Sequence, residues 1–87
     1  MVDEGARRAL LERQTSLLPA GIVEVLGKFQ PDVAVEICDP AGTVFAKGLV
    51  RVNSEDLRVV AGRRTRELPE GMPHEVVHRD DLVTLPA

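Results

Sequence analysis

The chain has 87 residues, with 11 Lys and Arg against 14 Asp and Glu for a formal charge of -3, and 44 % hydrophobic residues. That is the composition of an ordinary soluble domain, and the length has room for one domain, residues 1–87, but not for a two-domain enzyme. No apolar run nears the ~20 residues of a membrane span. The first residues lack the charged-then-apolar pattern of a secretory leader, and a lone Cys38 cannot close an intrachain disulfide, so a cytoplasmic location is expected.

In chain order, residues 1–5 are expected to be flexible before a helix over 3–13. Asp3 is its cap, Ala6, Ala9 and Leu10 share one face, and Arg8 and Glu12 are spaced for an i,i+4 pair. Pro19 disfavours helix at Leu18 and breaks the element. Ile22 to Leu26 reads as a strand ended by Gly27. Val33 to Cys38 alternates like a half-buried strand, with Val33, Val35 and Ile37 inward. Asp39-Pro40-Ala41-Gly42 is a hairpin turn into a strand from Thr43 to Val52. That strand puts Val44, Ala46, Gly48, Val50 and Val52 on one face and Phe45, Lys47, Leu49 and Arg51 on the other. Gly48 in mid-strand signals a bulge or bend.

Ser54-Glu55-Asp56-Leu57 opens a second short helix with an N-cap and two acids in its first turn, stopped at Gly62. Residues 67–74 read as loop. Val76-Val77-His78 and Leu82 to Leu85 read as two short closing strands around Arg79-Asp80-Asp81, followed by a tail at 85–87. The fold expected is mainly β with short α-helices, a mixed-strand pseudo-barrel of five or six strands.

Charge is unevenly placed. Residues 1–46 hold four basic and seven acidic side chains, residues 47–66 six and two, and residues 67–87 one and five. The overall acidity argues against a strong nonspecific nucleic-acid binder. Having only Phe29 and Phe45 as aromatics argues against a base-stacking platform.

Several blocks in this order resemble one family: Ser16-Leu17-Leu18-Pro19-Ala20-Gly21-Ile22, Gly27-Lys28-Phe29, the Val35 to Gly42 hairpin and Ala46-Lys47-Gly48-Leu49-Val50. Asn53-Ser54-Glu55-Asp56-Leu57-Arg58, Ala61-Gly62-Arg63-Arg64-Thr65 and Val76-Val77-His78-Arg79-Asp80-Asp81-Leu82-Val83 follow. Together they resemble the C-terminal PUA domain of the glutamate 5-kinase family, from about Ala6 to Thr84. The resemblance implies a PUA-like pseudo-barrel attached to an amino-acid-kinase domain, which uses ATP and magnesium to phosphorylate L-glutamate in proline synthesis. It implies no cofactor in this chain, a homo-oligomeric parent, and either a regulatory docking role or contact with structured RNA. Two departures stand out. The family usually carries a glycine and then a small or basic residue before Ser16, where this chain has Gln14 and Thr15, and the 67–74 loop is shorter than in many relatives.

The candidate contact residues for RNA or a partner are Arg13, Thr15, Gly21, Lys47, Arg51, Arg63 and Arg64. A structural reading competes with the phosphate-contact reading, because cations beyond a helix C-terminus are favourable against its partial negative charge. His78-Arg79-Asp80 has the letters of a protein-kinase catalytic loop but neither the following Asn nor the chain length, and reads as a charged turn. His74, His78 and Cys38 make an incomplete zinc set, so no metal site is expected, and Cys38 reads as a buried apolar residue. No serine or cysteine has a base beside it in sequence, so no catalytic residue is assigned.

Overall fold

Asp39 organises the centre of the fold. In the computed structural model, which describes residues 1–86, its carboxylate accepts hydrogen bonds from the Ala41 and Thr43 amides at 2.9 and 3.0 Å. Gly42, at φ 87°, completes the turn. This Asx geometry joins β1 (Ala34–Cys38) to β2 (Val44–Val50), with Ile37 opposite Ala46 and a register shift before Cys38. β3 (Val77–Thr84) pairs antiparallel with the other side of β2, giving a three-stranded sheet in the order β1-β2-β3.

The inward face of β2 is the one the alternation predicts. Ala46, Gly48 and Val50 are buried, as is Val52 just beyond, and Val44 is half-buried. Phe45, expected outward, is also buried, because Arg7 covers it with its guanidinium 6.0 Å from the ring centroid. Val33, expected inward, precedes β1 and is exposed. Cys38 ends β1 half-buried rather than buried.

Three strands form among the described residues, not five or six. The two predicted closing strands run as one, β3, in which Gly48 opposes Leu82 and Val50 opposes Val77. His78 to Asp81 therefore bulge out against Leu49 alone, which places the predicted irregularity at Gly48 on the partner strand as well. Ile22 to Leu26 makes no strand. Only Ile22 bridges, to Val2, and the Val23 and Glu24 amides both donate to the Met1 carbonyl at 2.9 and 3.3 Å. Beyond that point the Arg58 guanidinium donates to the Val25 and Gly27 carbonyls, taking acceptors that a neighbouring strand would need.

Single-residue links stand at both sheet edges. Leu17 bridges Val77 beside β3, its amide donating to the Val77 carbonyl at 2.9 Å, and the Val2 amide donates to the Cys38 carbonyl of β1 at 2.9 Å. Val2, within the stretch expected to be flexible, is among the most buried side chains, together with Leu10, Val50, Val60 and Val77. The 85–87 tail begins with the Leu85 amide donating to the Phe45 carbonyl at 2.8 Å, while Ala87 lies outside the described residues.

The first helix is capped by Asp3, which accepts from the Ala6 amide at 2.7 Å. It runs as α1 (Glu4–Arg8) and then widens into a π-type turn over Ala9–Arg13. The wider turn takes Glu12 out of i,i+4 alignment with Arg8, which pairs with Glu4 at 3.7 Å instead. α2 (Ser54–Val60) is capped by Asn53, whose side chain accepts from the Asp56 amide at 2.7 Å. The Ser54 hydroxyl is buried, accepting from the Phe29 amide at 3.1 Å, so it anchors the 28–30 segment to α2 rather than capping the helix. Gly62, at φ 81°, ends the element as expected.

Candidate functional site

The seven candidate residues separate into two groups. The first gathers where α2 ends. The Gly62 amide donates to the Pro19 carbonyl at 2.7 Å, which seats the Pro19–Gly21 turn against the helix terminus immediately before Arg63 and Arg64. Gly21 has no room for a side chain, since a Cβ there would stand 2.6 Å from the Ala6 Cβ. The close approach of turn and α1 thus requires glycine for packing. Thr15 and Gly21 line one shallow groove of about 300 Å³ together with Leu18 and Ala20. Arg63, Arg64 and Arg66 are exposed, and no ion pair to them is found among the described residues.

Arg13 closes the π-type turn, exposed, directly before Gln14. Gln14 adopts φ 52° and ψ 43°, the left-handed conformation that favours glycine. Gln14 therefore holds a side chain in a backbone conformation that glycine adopts without strain. Gln14→Gly is expected to stabilise the fold by about 1 kcal/mol, seen as a higher urea midpoint with an unchanged slope.

The second group sits on the sheet. Lys47 is exposed on β2, opposite Glu36 of β1 and Val83 of β3. Arg51 follows β2, with its amide donating to the Val76 carbonyl at 2.8 Å and its guanidinium 3.7 Å from the Asp81 carboxylate. It belongs to a charged cluster on the β3 bulge that the basic-patch reading did not anticipate. Ser16 Oγ accepts from the Arg79 amide at 2.9 Å, His78 Nδ1 accepts from the Asp80 amide at 3.0 Å, and His78 Nε2 stands 3.9 Å from Glu75. The residues that looked like a kinase loop hold a bulge together.

Within this cluster the Glu75 carboxyl is held below its usual range, chiefly by a hydrogen bond from Ser16. Desolvation opposes the shift, and His78, Arg51 and Arg79 add electrostatic support for the charged form. Because the folded-state value is lowered, this stabilisation is complete above the ordinary Glu range and is lost as pH falls through the folded value. Ser16→Ala is expected to move the Glu75 titration upward toward an ordinary glutamate, read by NMR of the side-chain carboxyl.

Sequence reasoning missed Ser16, Ser54 and Arg58, each of which bonds to backbone far away in the chain. Ser54 carries only the local signal of an N-cap, a role Asn53 fills, and none of the three carries a signal for its distant partner. Among the described residues, no three His, Cys, Asp or Glu side chains converge as metal ligands, and no helix is long and apolar enough to cross a membrane.

The frame that positions these residues is a small antiparallel sheet with short helices and a proline-glycine turn seated on a helix end. The chain belongs to the PUA domain family, whose model matches residues 1–72. Its relatives include the glutamate 5-kinase of Synechococcus sp. strain JA-2-3B'a(2-13), 46 % identical over 88 residues, which covers 97 % of this chain and 24 % of that protein. The glutamate 5-kinase of Syntrophotalea carbinolica is 47 % identical over 87 residues, covering 95 % of this chain and 23 % of the relative. That of Streptomyces avermitilis is 47 % identical over 88 residues, covering 97 % and 24 %. The chain thus spans about a quarter of the length of the curated relatives it matches, in their C-terminal region.

Proposed function

We propose that this chain is a non-catalytic interaction domain of a glutamate 5-kinase. In this reading it docks on the amino-acid-kinase part of the same protein, or of a neighbouring subunit in a homo-oligomer, and regulates it. ATP and magnesium are bound by that kinase part, which phosphorylates L-glutamate to L-glutamyl 5-phosphate for proline biosynthesis in the cytoplasm. The chain itself holds neither cofactor.

One observation carries the reading: the solvent face of the sheet exposes two large apolar side chains beside its charged residues Glu36 and Lys47. Leu49 is 45 % and Val83 64 % exposed on adjacent strands, flanking Lys47. Exposed apolar side chains grouped on one sheet face mark a surface that a partner covers. The experiment compares the full-length kinase carrying this domain with a version lacking it, for kinase rate, inhibition by proline and oligomeric state. A change in at least one is expected, and identical behaviour in all three contradicts the proposal.

A second reading, contact with structured RNA, is favoured by Arg63, Arg64 and Arg66, which are exposed beside the Pro19–Gly21 turn. It is weakened by Arg51, which pairs with Asp81, and by Arg58, which is engaged by two carbonyls. If RNA is the partner, affinity falls steeply between low and moderate salt, and Arg63→Ala and Arg64→Ala each reduce that slope. Salt-independent binding, or none at micromolar protein, rules this reading out.

A further inference from the structure

β1 is an edge strand that, among the described residues, nothing covers along most of its length. Its residues alternate in direction, and Val35 and Ile37 face their β2 partners Gly48 and Ala46 across the ladder, while the Val33 carbonyl accepts from Val50 at 3.0 Å. The amides and carbonyls of Ala34 and Glu36 therefore point away from β2, and no backbone partner for them is found among the described residues. Among the described residues only Cys38 has a link on that side, to Val2. Natural edges are blunted by lysine, proline, bulges or a covering element. Here the register shift before Cys38 and the Val2 link blunt only that end, and the rest of the free side carries Ala34 and a single charge, Glu36.

Beside that free edge a cavity of about 370 Å³ opens between β1 and residues 24–29, lined by Val2, Val25, Phe29, Val35, Ile37 and Leu57 among others. The segment in the chain best placed to close it, Ile22 to Leu26, is held off. Arg58 fixes the Val25 and Gly27 carbonyls, and Val23 and Leu26 turn outward, each 61 % exposed. An unpaired strand edge next to an apolar cavity is the arrangement in which an added strand bonds through its backbone while alternate side chains enter the cavity.

We propose that β1 takes an additional strand, an extended segment of the kinase part of the longer protein that is apolar at alternate positions and basic where it faces Glu36. Its inward side chains fill the cavity. This rests on the docking reading above and names the contact it uses. The kinase part is favoured as the source by the length of the relatives, since about three quarters of each lies outside the region matched here. A tethered segment also acts at millimolar effective concentration, which lets a short strand compete with water for the edge. The basic residue is placed opposite Glu36, the exposed carboxylate on the free edge itself, while Glu24 and Lys28 at the mouth of the cavity carry opposite charges.

Amide hydrogen exchange read by NMR, on this chain alone and within the full-length kinase, tests the proposal. The Ala34 and Glu36 amides are expected to exchange freely in the isolated chain and at least about tenfold more slowly in the full-length protein, as pairing lowers the population of open amides. Glu36→Pro removes an edge-facing N–H and is expected to abolish that protection. The Val35 and Ile37 amides report whether the β1–β2 ladder survives the change, and if it does not, Glu36→N-methylalanine introduced by ligation replaces it. Protection confined to the outer face around Leu49 and Val83 overturns the edge proposal and leaves the docking reading standing. No protection anywhere overturns both.

Discussion

Gly48→Val is expected to cost about 3 kcal/mol or more, enough to leave a substantial fraction of the chain unfolded at 37 °C. Gly48 lies on β2 opposite Leu82 of β3, with Val77 and Asp81 of β3 filling the space beside it. A Cβ built there overlaps Val77 Cγ1, far closer than two carbons can approach, and stands 3.1 Å from the Asp81 carbonyl oxygen. Val77 is fully buried and cannot swing aside, and Asp81 belongs to the bulge held by Ser16 and Arg51. The smaller change Gly48→Ala is expected to cost about 1–3 kcal/mol by the same overpacking. Adding Val77→Ala should recover part of that loss, because the two side chains then share one space. A urea-denaturation double-mutant cycle measures the coupling, which is expected to exceed 0.5 kcal/mol for residues in direct contact.

Leu10→Ala is expected to cost about 2–5 kcal/mol, the range for removing a buried leucine and leaving a cavity. Leu10 is almost wholly buried and sits in the π-type turn, which aims it into the core against Val2, Leu17 and the rest of the apolar cluster. A chain of this size has a total stability of roughly 4–13 kcal/mol at ~0.05–0.15 kcal/mol per residue, so this loss is a large share of it. The neighbouring Leu11 is only half-buried, and Leu11→Ala should cost clearly less. Urea midpoints of the two variants give the comparison directly.

The parts of this fold that could be read from the chain are those set by local chemistry. The Asp39–Gly42 turn, the inward face from Ala46 to Val52, the Asp3 cap and the Gly62 stop each follow from residues a few positions apart. What failed depends on residues distant in sequence. Ile22 to Leu26 has the composition of a strand, but Arg58, 33 residues away, holds its Val25 carbonyl, together with that of Gly27 just beyond. Val2 looks like the start of a loose terminus, yet it is buried between Ile22 and the end of β1.

The candidate contact residues divide along the same line. Arg63 and Arg64 could be placed after a helix end from local signals, and the Gly62 bond to Pro19 brings them to the Gly21 turn. Lys47 and Arg51 look like companions on one strand face. β2 ends at Val50, however, and the β3 bulge draws Arg51 to Asp81 while Lys47 remains beside Glu36. A basic stretch in sequence thus becomes an arginine-lined turn on one side of the molecule and, on the sheet, Arg51 paired with Asp81 and Lys47 in register with Glu36.

The most direct test of the account is calorimetric titration of this 87-residue chain into the separately produced kinase part of its full-length protein, at moderate salt. Saturable binding is expected, with a negative heat-capacity change from burial of apolar surface, weakened by Leu49→Ser and Val83→Ser. Absence of binding to the kinase part, together with salt-sensitive binding to a structured RNA that is lost in Arg63→Ala and Arg64→Ala, would contradict it.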